Sequence, residues 1–101
     1  MKIFCFDIDG TLCSKSPENY EDAVPYSDRI EQVNKLYDEG NSIIIFTARG
    51  SATGIDHKEL TKNQLREWGL KYNELIFGKP NADYYIDDKS RDYFNWFIKE
   101  E

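Results

Sequence analysis

Apolar and polar residues form alternating blocks along the chain, and these blocks predict strands and helices in turn. Two apolar runs of β-type composition, IFCFDI at 3–8 and SIIIFTA at 42–48, are typical of strands buried on both faces. Between them the pattern predicts a helix that Ser27 caps, that runs to about Glu39 and that ends at Gly40. Its apolar face carries Ile30, Val33, Leu36 and Tyr37. The first half of the chain is therefore predicted to be a β-α-β unit.

The second half repeats the alternation. A second helix is predicted over about 57–68, from His57 to Trp68, and Gly69 ends it. The triplet LIF at 75–77 predicts a third strand and ADYYIDD at 82–88 a fourth. The apolar residues assigned to the face of the second helix are Leu60, Leu65 and Trp68. A last, aromatic-rich helix is predicted near 90–99.

Strands that alternate with helices predict an α/β fold. We expect a three-layer, Rossmann-like domain over 1–101, with a central, mainly parallel four-stranded sheet and helices on its faces. In open sheets of this kind, ligands bind outside the carboxyl ends of the strands. The functional site is therefore predicted at that edge of the sheet.

Composition narrows the classes of function. The chain has 101 residues and a formal net charge of -6, which disfavours binding to nucleic acid or to an anionic membrane surface. No apolar run approaches the roughly 20 residues that span a bilayer. Cys5 and Cys13 have no zinc-binding spacing and do not suggest a disulfide scaffold, so we expect a cytoplasmic protein, with Cys5 in the core and Cys13 an incidental thiol.

Polar residues follow every predicted strand at its carboxyl end. They are Asp7 and Asp9 after the first strand, Thr47 and Arg49 after the second, Lys79 after the third, and Asp87 and Asp88 after the fourth. Several carboxylates at one point repel one another unless a cation lies among them. Because the set contains only oxygen ligands, it favours Mg2+ as cofactor.

Such a site suits phosphoryl transfer. A carboxylate can act as nucleophile on a phosphate, and a second carboxylate two residues along can act as general acid and then as general base. Lys79 and the Thr47 hydroxyl can stabilise charge on the transferring oxygens. Gly10 allows a sharp turn that would bring backbone N–H groups toward the phosphate.

At this point the motifs resemble those of the haloacid dehalogenase (HAD) superfamily of phosphatases: FDIDGT, IIIFTAR, FGKP and YYIDD, in that order. The resemblance implies Asp7 as nucleophile, Asp9 as acid/base, and Thr47 and Lys79 as phosphate-binding residues. It also implies Mg2+ held by Asp7, the backbone carbonyl of Asp9 and the pair Asp87 and Asp88, with the direct ligand of that pair undecided. The substrate-binding positions that it implies are Gly10, Thr11, Ala48 and Arg49.

The resemblance extends to a subgroup without a cap domain, because 10–26 has room only for a flap. The stretch GKPNADYYIDDKS, with FTARG and QLREWGLKYNELIFGKP, is similar to small phosphatases encoded with bacterial capsule and polysaccharide biosynthesis genes. It implies a small phosphorylated sugar or sugar-linked metabolite as substrate. It also leaves room for a homo-oligomer in which a neighbouring subunit supplies a lid.

Each residue also has a plainer interpretation. Asp-Gly is a strong turn signal, and a lone threonine or lysine at a strand end is ordinary, so only the full set indicates a site. For Arg49, a clamp on substrate and a structural salt bridge are equally open. His57 is expected to be a surface residue at a helix start. Lys15 and Lys58 are candidates for substrate contact only because they lie on the two long loops.

Two other functions compete with a phosphatase. A receiver-type phosphoacceptor domain also combines acids, a threonine and a lysine, but it needs no acid/base such as Asp9, and its motifs come in a different order. A nucleic-acid 3′-phosphatase could use a similar motif set. The acidic charge and the lack of a basic, aromatic-studded groove argue against it.

Overall fold

The computed structural model describes residues 1–15, 19–49, 56–77 and 83–86, without the side chain of Tyr85. The strands in this part of the chain are β1 (Ile3–Asp7), β2 (Ser42–Thr47), β3 (Glu74–Phe77) and β4 (Tyr84–Ile86). The helices are α1 (Ser27–Asp38) and α2 (Lys58–Glu67), with a short 3-10 turn at Tyr20–Asp22. None of these helices is long and apolar enough to cross a membrane.

The strands form one parallel sheet in the order β3-β2-β1-β4. β1 therefore lies inside the sheet, with Phe6 opposite Ile45 of β2 on one side and opposite Ile86 of β4 on the other. The chain winds outward from β1 through β2 to β3 and then returns to the far side of β1. That reversal makes the carboxyl end of β1 a topological switch point, where open α/β sheets bind ligands.

Alternate residues of the strands build two apolar clusters, one on each face of the sheet. Phe6 and Ile45 belong to the larger cluster, which also contains Val33 of α1 and Leu65 of α2. Cys5 and Ile44, one position away along the strands, belong to the smaller cluster on the other face. Both described helices thus cover the same face. The predicted α/β architecture with a parallel sheet is confirmed, whereas the predicted last helix at 90–99, which would complete a third layer, lies outside the described residues.

The helix boundaries follow their sequence signals at the C-terminal ends. Gly40 and Gly69 follow the two helices with φ of 94° and 72°, a left-handed conformation that favours glycine. The N-terminus of α1 differs from the prediction, since Ser27 is already the first helical residue and Tyr26 occupies the capping position without a side-chain capping hydrogen bond. Tyr37, which was assigned to the buried face of α1, is exposed because only Ile30, Val33 and Leu36 turn inward.

The buried face of α2 is more polar than its sequence pattern suggests. Thr61, Gln64 and Leu65 are buried, whereas Leu60 and Trp68 are only partly covered. His57 occupies the N-cap position without a side-chain capping hydrogen bond, and the carboxylate of Asp56, one residue earlier, accepts a hydrogen bond from the Lys58 N–H at 2.9 Å. Two buried polar side chains on one helix need hydrogen-bond partners, and these partners lie at the candidate site.

The predicted flap at 10–26 folds back on itself where it is described. Cys13 bridges to Pro25 in antiparallel fashion, and the N–H of Ser14 and of Tyr26 donate to the carbonyls of Val24 and Leu12. This pairing fixes both ends of the segment beside the carboxyl end of β1.

Candidate active site

Asp7 is the last residue of β1 and lies, half-buried, at the switch point of the sheet. Its strand partner on β2 is Phe46, so Thr47 follows immediately beside it at the end of β2. Two of the predicted site residues are therefore brought together by the register of the central strands.

A tight turn follows β1. The Ile8 carbonyl accepts hydrogen bonds from the N–H groups of Thr11, Leu12 and Cys13, and Gly10, with φ of 83°, donates to the Cys13 carbonyl. The sharp bend predicted at Gly10 is present. The N–H groups of Gly10 and Thr11 donate within this turn, and the role of these two residues in binding substrate stays a prediction.

The peptide groups of Asp9 differ from those of its neighbours. Among the described residues, the Asp9 N–H donates to no backbone carbonyl, and the Asp9 carbonyl accepts from no backbone N–H. A carbonyl without a donor at this edge can ligate a cation, and an N–H without an acceptor can bind an anion. The peptide groups of Asp9 are thus available at this turn, whereas the N–H groups of Gly10 and Thr11 donate within it.

The Asp9 side chain forms an ion pair with Arg49, which lies two residues after the end of β2. Arg49 donates from Nε to Oδ2 and from one terminal nitrogen to Oδ1, both at 2.9 Å. The arginine side chain is 1% exposed and the aspartate side chain 22%. This bidentate geometry is the strong form of the arginine-carboxylate interaction. Of the two interpretations of Arg49, the contacts fit a structural salt bridge.

The other terminal nitrogen of Arg49 is held by α2. It donates to Thr61 Oγ1 at 3.1 Å and to Gln64 Oε1 at 2.6 Å, while the Gln64 amide nitrogen donates to the Tyr20 carbonyl at 2.6 Å. The Tyr20 ring lies under the guanidinium, with its centroid 4.6 Å from the central carbon. Sequence reasoning missed Thr61, Gln64 and Tyr20. The one available signal was two polar residues, three positions apart, on the inward face of α2.

Cys13 also contacts Asp9. Its thiol lies 3.6 Å from Asp9 Oδ1 and from the Ile8 carbonyl oxygen. Burial, together with the nearby Asp9 carboxylate, which disfavours a thiolate, raises the pKa of the Cys13 thiol to about 12. Cys13 is therefore a protonated hydrogen-bond donor to Asp9 and not the incidental thiol that the sequence suggested. Cys5 is buried in the core, as predicted.

Thr47 is buried, and its hydroxyl oxygen accepts a hydrogen bond from the Arg49 N–H at 3.1 Å. Because the oxygen is used as acceptor, its O–H remains able to donate. Ala48, between them, is exposed. The Thr11 hydroxyl is buried, and within the described chain it has no hydrogen-bond partner.

The remaining predicted residues fall in two groups. Lys79, Asp87 and Asp88 lie outside the described residues. His57 is half-buried at the start of α2, where its ring meets the Tyr20 ring edge-on at 4.9 Å. Lys58 is exposed, 6.0 Å above the Phe77 ring at the end of β3, and Lys15 is exposed in the flap. The contact between His57 and Tyr20 joins the start of α2 to the flap.

The oxygen donors fit a hard divalent cation. The Asp7 carboxylate and the Asp9 carbonyl belong to one turn, and the Asp9 carboxylate is already neutralised by Arg49, so it adds no uncompensated charge. No group of three or more His, Cys, Asp or Glu that could hold a metal ion occurs among residues 1–15, 19–49, 56–77 and 83–86. The acidic pair predicted to complete the set lies beyond these ranges.

Comparisons with known proteins support the fold. No protein-family profile and no curated protein matches the chain. Among solved structures, a structural-genomics target protein from Vibrio cholerae matches with a TM-score of 0.72 and 28% identity over 100% of both chains. A chain of the Pnkp1/Rnl/Hen1 RNA repair complex matches with a TM-score of 0.62 and 21% identity over 98% of this chain.

A third match is the D,D-heptose 1,7-bisphosphate phosphatase from B. bronchiseptica, solved with magnesium and phosphate. It has a TM-score of 0.58 and 20% identity over 89% of this chain. The chain spans 54% of that protein and 30% of the matching chain of the RNA repair complex. Together with the parallel sheet and its switch point, these matches show that the chain has a HAD-like fold.

Proposed function

We propose that the protein is a Mg2+-dependent phosphomonoesterase that works through an aspartyl-phosphate intermediate. The observation that carries the proposal is the placement of Asp7 at the switch point of the sheet, with Asp9 two residues further on and fixed by Arg49. A nucleophile and an acid/base on one rigid turn are the minimum that the two-step reaction needs. The HAD-like fold, shared with a phosphatase solved with magnesium and phosphate, supports the same reaction class.

In the first step a carboxylate oxygen of Asp7 forms a bond to phosphorus, and the bond from phosphorus to the ester oxygen breaks. Asp9 gives a proton to the departing alkoxide, which leaves as an alcohol. In the second step water attacks the acyl phosphate and the Asp9 carboxylate takes a proton from it. Inorganic phosphate is released and the Asp7 carboxylate is restored.

The chain's own donors orient the phosphate. The Thr47 O–H and the Asp9 N–H lie at the ends of β2 and β1, where each is able to donate. We assign Lys79 to the same task from the sequence motif. Mg2+ would be held by the Asp7 carboxylate, the Asp9 carbonyl and the pair Asp87 and Asp88, and it would offset the repulsion between a carboxylate and an anionic phosphate.

For the substrate we propose a small phosphorylated sugar or sugar-linked metabolite in capsule or polysaccharide biosynthesis. The support is the motif resemblance, together with a solved neighbour that is a heptose bisphosphate phosphatase. A neighbouring subunit acting as a lid and a cytoplasmic location remain predictions.

A nucleic-acid end phosphatase is the second candidate, because a chain of an RNA repair complex has the same fold. The net charge of -6 argues against a polyanionic substrate. A receiver-type phosphoacceptor is less consistent with the structure, since a long-lived aspartyl phosphate has no use for a second carboxylate held in place by Arg49.

The test is release of phosphate by the purified chain from p-nitrophenyl phosphate, from a panel of sugar phosphates and from a 3′-phosphorylated oligonucleotide. We expect hydrolysis with added Mg2+, none with chelator, and none in the Asp7→Asn variant. A sugar phosphate should be hydrolysed faster than the oligonucleotide, and the reverse order would favour the second candidate. A folded wild-type protein that is inert toward all three classes would contradict the enzyme proposal.

A further inference from the structure

Arg49 has an unusual number of fixed contacts for a residue beside a predicted acid/base. Its guanidinium donates four hydrogen bonds, two to Asp9, one to Thr61 and one to Gln64, and its face rests on the Tyr20 ring. Four of its five N–H donors are therefore used within the described residues, and the side chain is only 1% exposed. A guanidinium buried and held in this way is poorly placed to contact a substrate phosphate, which argues against the clamp interpretation.

The same contacts distinguish the two oxygens of Asp9. Oδ1 receives one terminal nitrogen of Arg49 and also the Cys13 thiol. Oδ2 receives only Nε of Arg49 among the described residues. Since a carboxylate oxygen has two lone pairs, Oδ2 keeps one that neither contact uses. The partial exposure of the carboxylate, 22%, leaves it accessible from the site.

We propose that Arg49 is a positioning residue, held by Thr61, Gln64 and Tyr20, that orients Asp9 so that Oδ2 is the oxygen that exchanges protons with the leaving alcohol and the attacking water. The inference rests on the proposed phosphatase function. It assigns no contact between Arg49 and the substrate, so its effect on the reaction passes through Asp9.

Gln64 connects this arrangement to the flap. Its carbonyl oxygen accepts from Arg49 and its amide nitrogen donates to the Tyr20 carbonyl, so one buried amide joins α2, the arginine and the segment 10–26. Loss of Gln64 would leave Arg49 with Thr61 as its only partner on α2. We therefore expect the orientation of Asp9 to depend on Gln64 although the two side chains make no hydrogen bond.

The test compares two esters of similar size, p-nitrophenyl phosphate and phenyl phosphate. The p-nitrophenolate leaves readily without a proton, whereas phenolate is a poorer leaving group and needs general acid catalysis more. We expect Arg49→Met to lower kcat for phenyl phosphate about tenfold more than for p-nitrophenyl phosphate, which is part of the roughly hundredfold or more that general acid catalysis contributes. Asp9→Asn should show the same selectivity to a larger extent.

A double variant separates positioning from an independent role. If Arg49 acts only through Asp9, the Asp9→Asn variant has already lost the effect of Arg49. Adding Arg49→Met to that variant should then lower its kcat for phenyl phosphate by less than about twofold, because the effects of coupled residues do not add. Losses that multiply would show that Arg49 has a role of its own, and they would overturn the proposal. Lys71→Met is the control, because it removes a cation from an exposed ion pair with Asp38 and should leave the ratio of the two rates unchanged.

Gln64→Leu covers the case in which Arg49→Met does not fold, with circular dichroism reporting on folding. This variant should lower kcat for phenyl phosphate more than for p-nitrophenyl phosphate, and the change in KM should be smaller than the change in kcat. Equal losses on the two esters, in either variant, would mean a purely structural role. A wild-type protein that hydrolyses neither ester would instead contradict the proposed function and this inference together. An active wild-type protein whose variants lose activity equally on both esters would contradict the inference alone.

Discussion

Arg49 and Asp9 are forty residues apart in the sequence, and two hydrogen bonds of 2.9 Å join them at the carboxyl ends of adjacent strands. The pair links the loop after β2 to the turn after β1. The guanidinium of Arg49 is buried, whereas the carboxylate of Asp9 is partly exposed. The arginine end of the pair is therefore shielded from water, and the aspartate end is open to the site. This asymmetry makes the pair important for stability and for the proposed chemistry.

Arg49→Met should reduce the free energy of unfolding by about 3 kcal/mol, since it leaves Asp9, Thr61 and Gln64 without their partner. Urea unfolding followed by circular dichroism measures the change. Lys71→Met removes an exposed ion pair and should cost less than about 1 kcal/mol. Similar losses in the two variants would argue that the buried pair has no special role in stability.

Asp9→Asn should lower kcat about a hundredfold or more and leave binding of Mg2+ and phosphate largely intact. The reason is that the Asp9 carboxylate faces Arg49, while the carbonyl proposed as ligand is unchanged by the substitution. Steady-state kinetics and calorimetric titration with Mg2+ measure the two effects. Loss of Mg2+ binding in proportion to activity would instead make the Asp9 side chain a ligand.

Thr47→Val should destabilise the protein by about 2 kcal/mol, because it removes the acceptor of the buried Arg49 N–H. Thr47→Ser retains the hydroxyl and should cost less. The same order is expected for activity, since only the serine variant keeps an O–H for the phosphate. If both variants lose equally, packing of the threonine methyl group is responsible rather than the hydroxyl.

Cys13 should make stability depend on pH in the alkaline range. The folded thiol has a pKa of about 12 against an ordinary value of 9.0, so above pH 9 the unfolded state binds fewer protons than the folded state. The free energy of unfolding should therefore fall as pH rises from 9 toward 12, by at most about 1.4 kcal/mol per pH unit from this group. Below pH 9 the contribution is fully present.

The comparison of wild type with Cys13→Ala isolates this effect, because the cost of the lost thiol volume does not vary with pH. Urea unfolding at pH 8 and pH 10 should show a smaller decrease for the variant. Parallel decreases in the two proteins would assign the pH dependence to other groups.

Much of the fold was predictable because its signals are local. The apolar runs around Cys5 and Ile44 have no polar residue at every second position, which predicts strands buried on both faces. Gly40 and Gly69 mark the ends of the two helices, because glycine readily adopts the left-handed backbone conformation found there. Asp7 and Thr47 could be placed together from the sequence because parallel strands bring their carboxyl ends to one edge.

The hydrogen-bond partners were decided by the tertiary structure. The sequence left Arg49 with two roles, and only the packing of α2 against the end of β2 supplied Thr61 and Gln64 as acceptors. Likewise, the motif around Gly10 predicted a sharp turn, and only the tertiary structure showed that the Gly10 and Thr11 N–H groups donate within it. The sequence by itself thus determined that Asp7 and Thr47 reach this edge of the sheet, since periodicity is a local property. Which residues pair there was decided by the three-dimensional arrangement, because a buried polar group bonds to whatever donor or acceptor the fold places beside it.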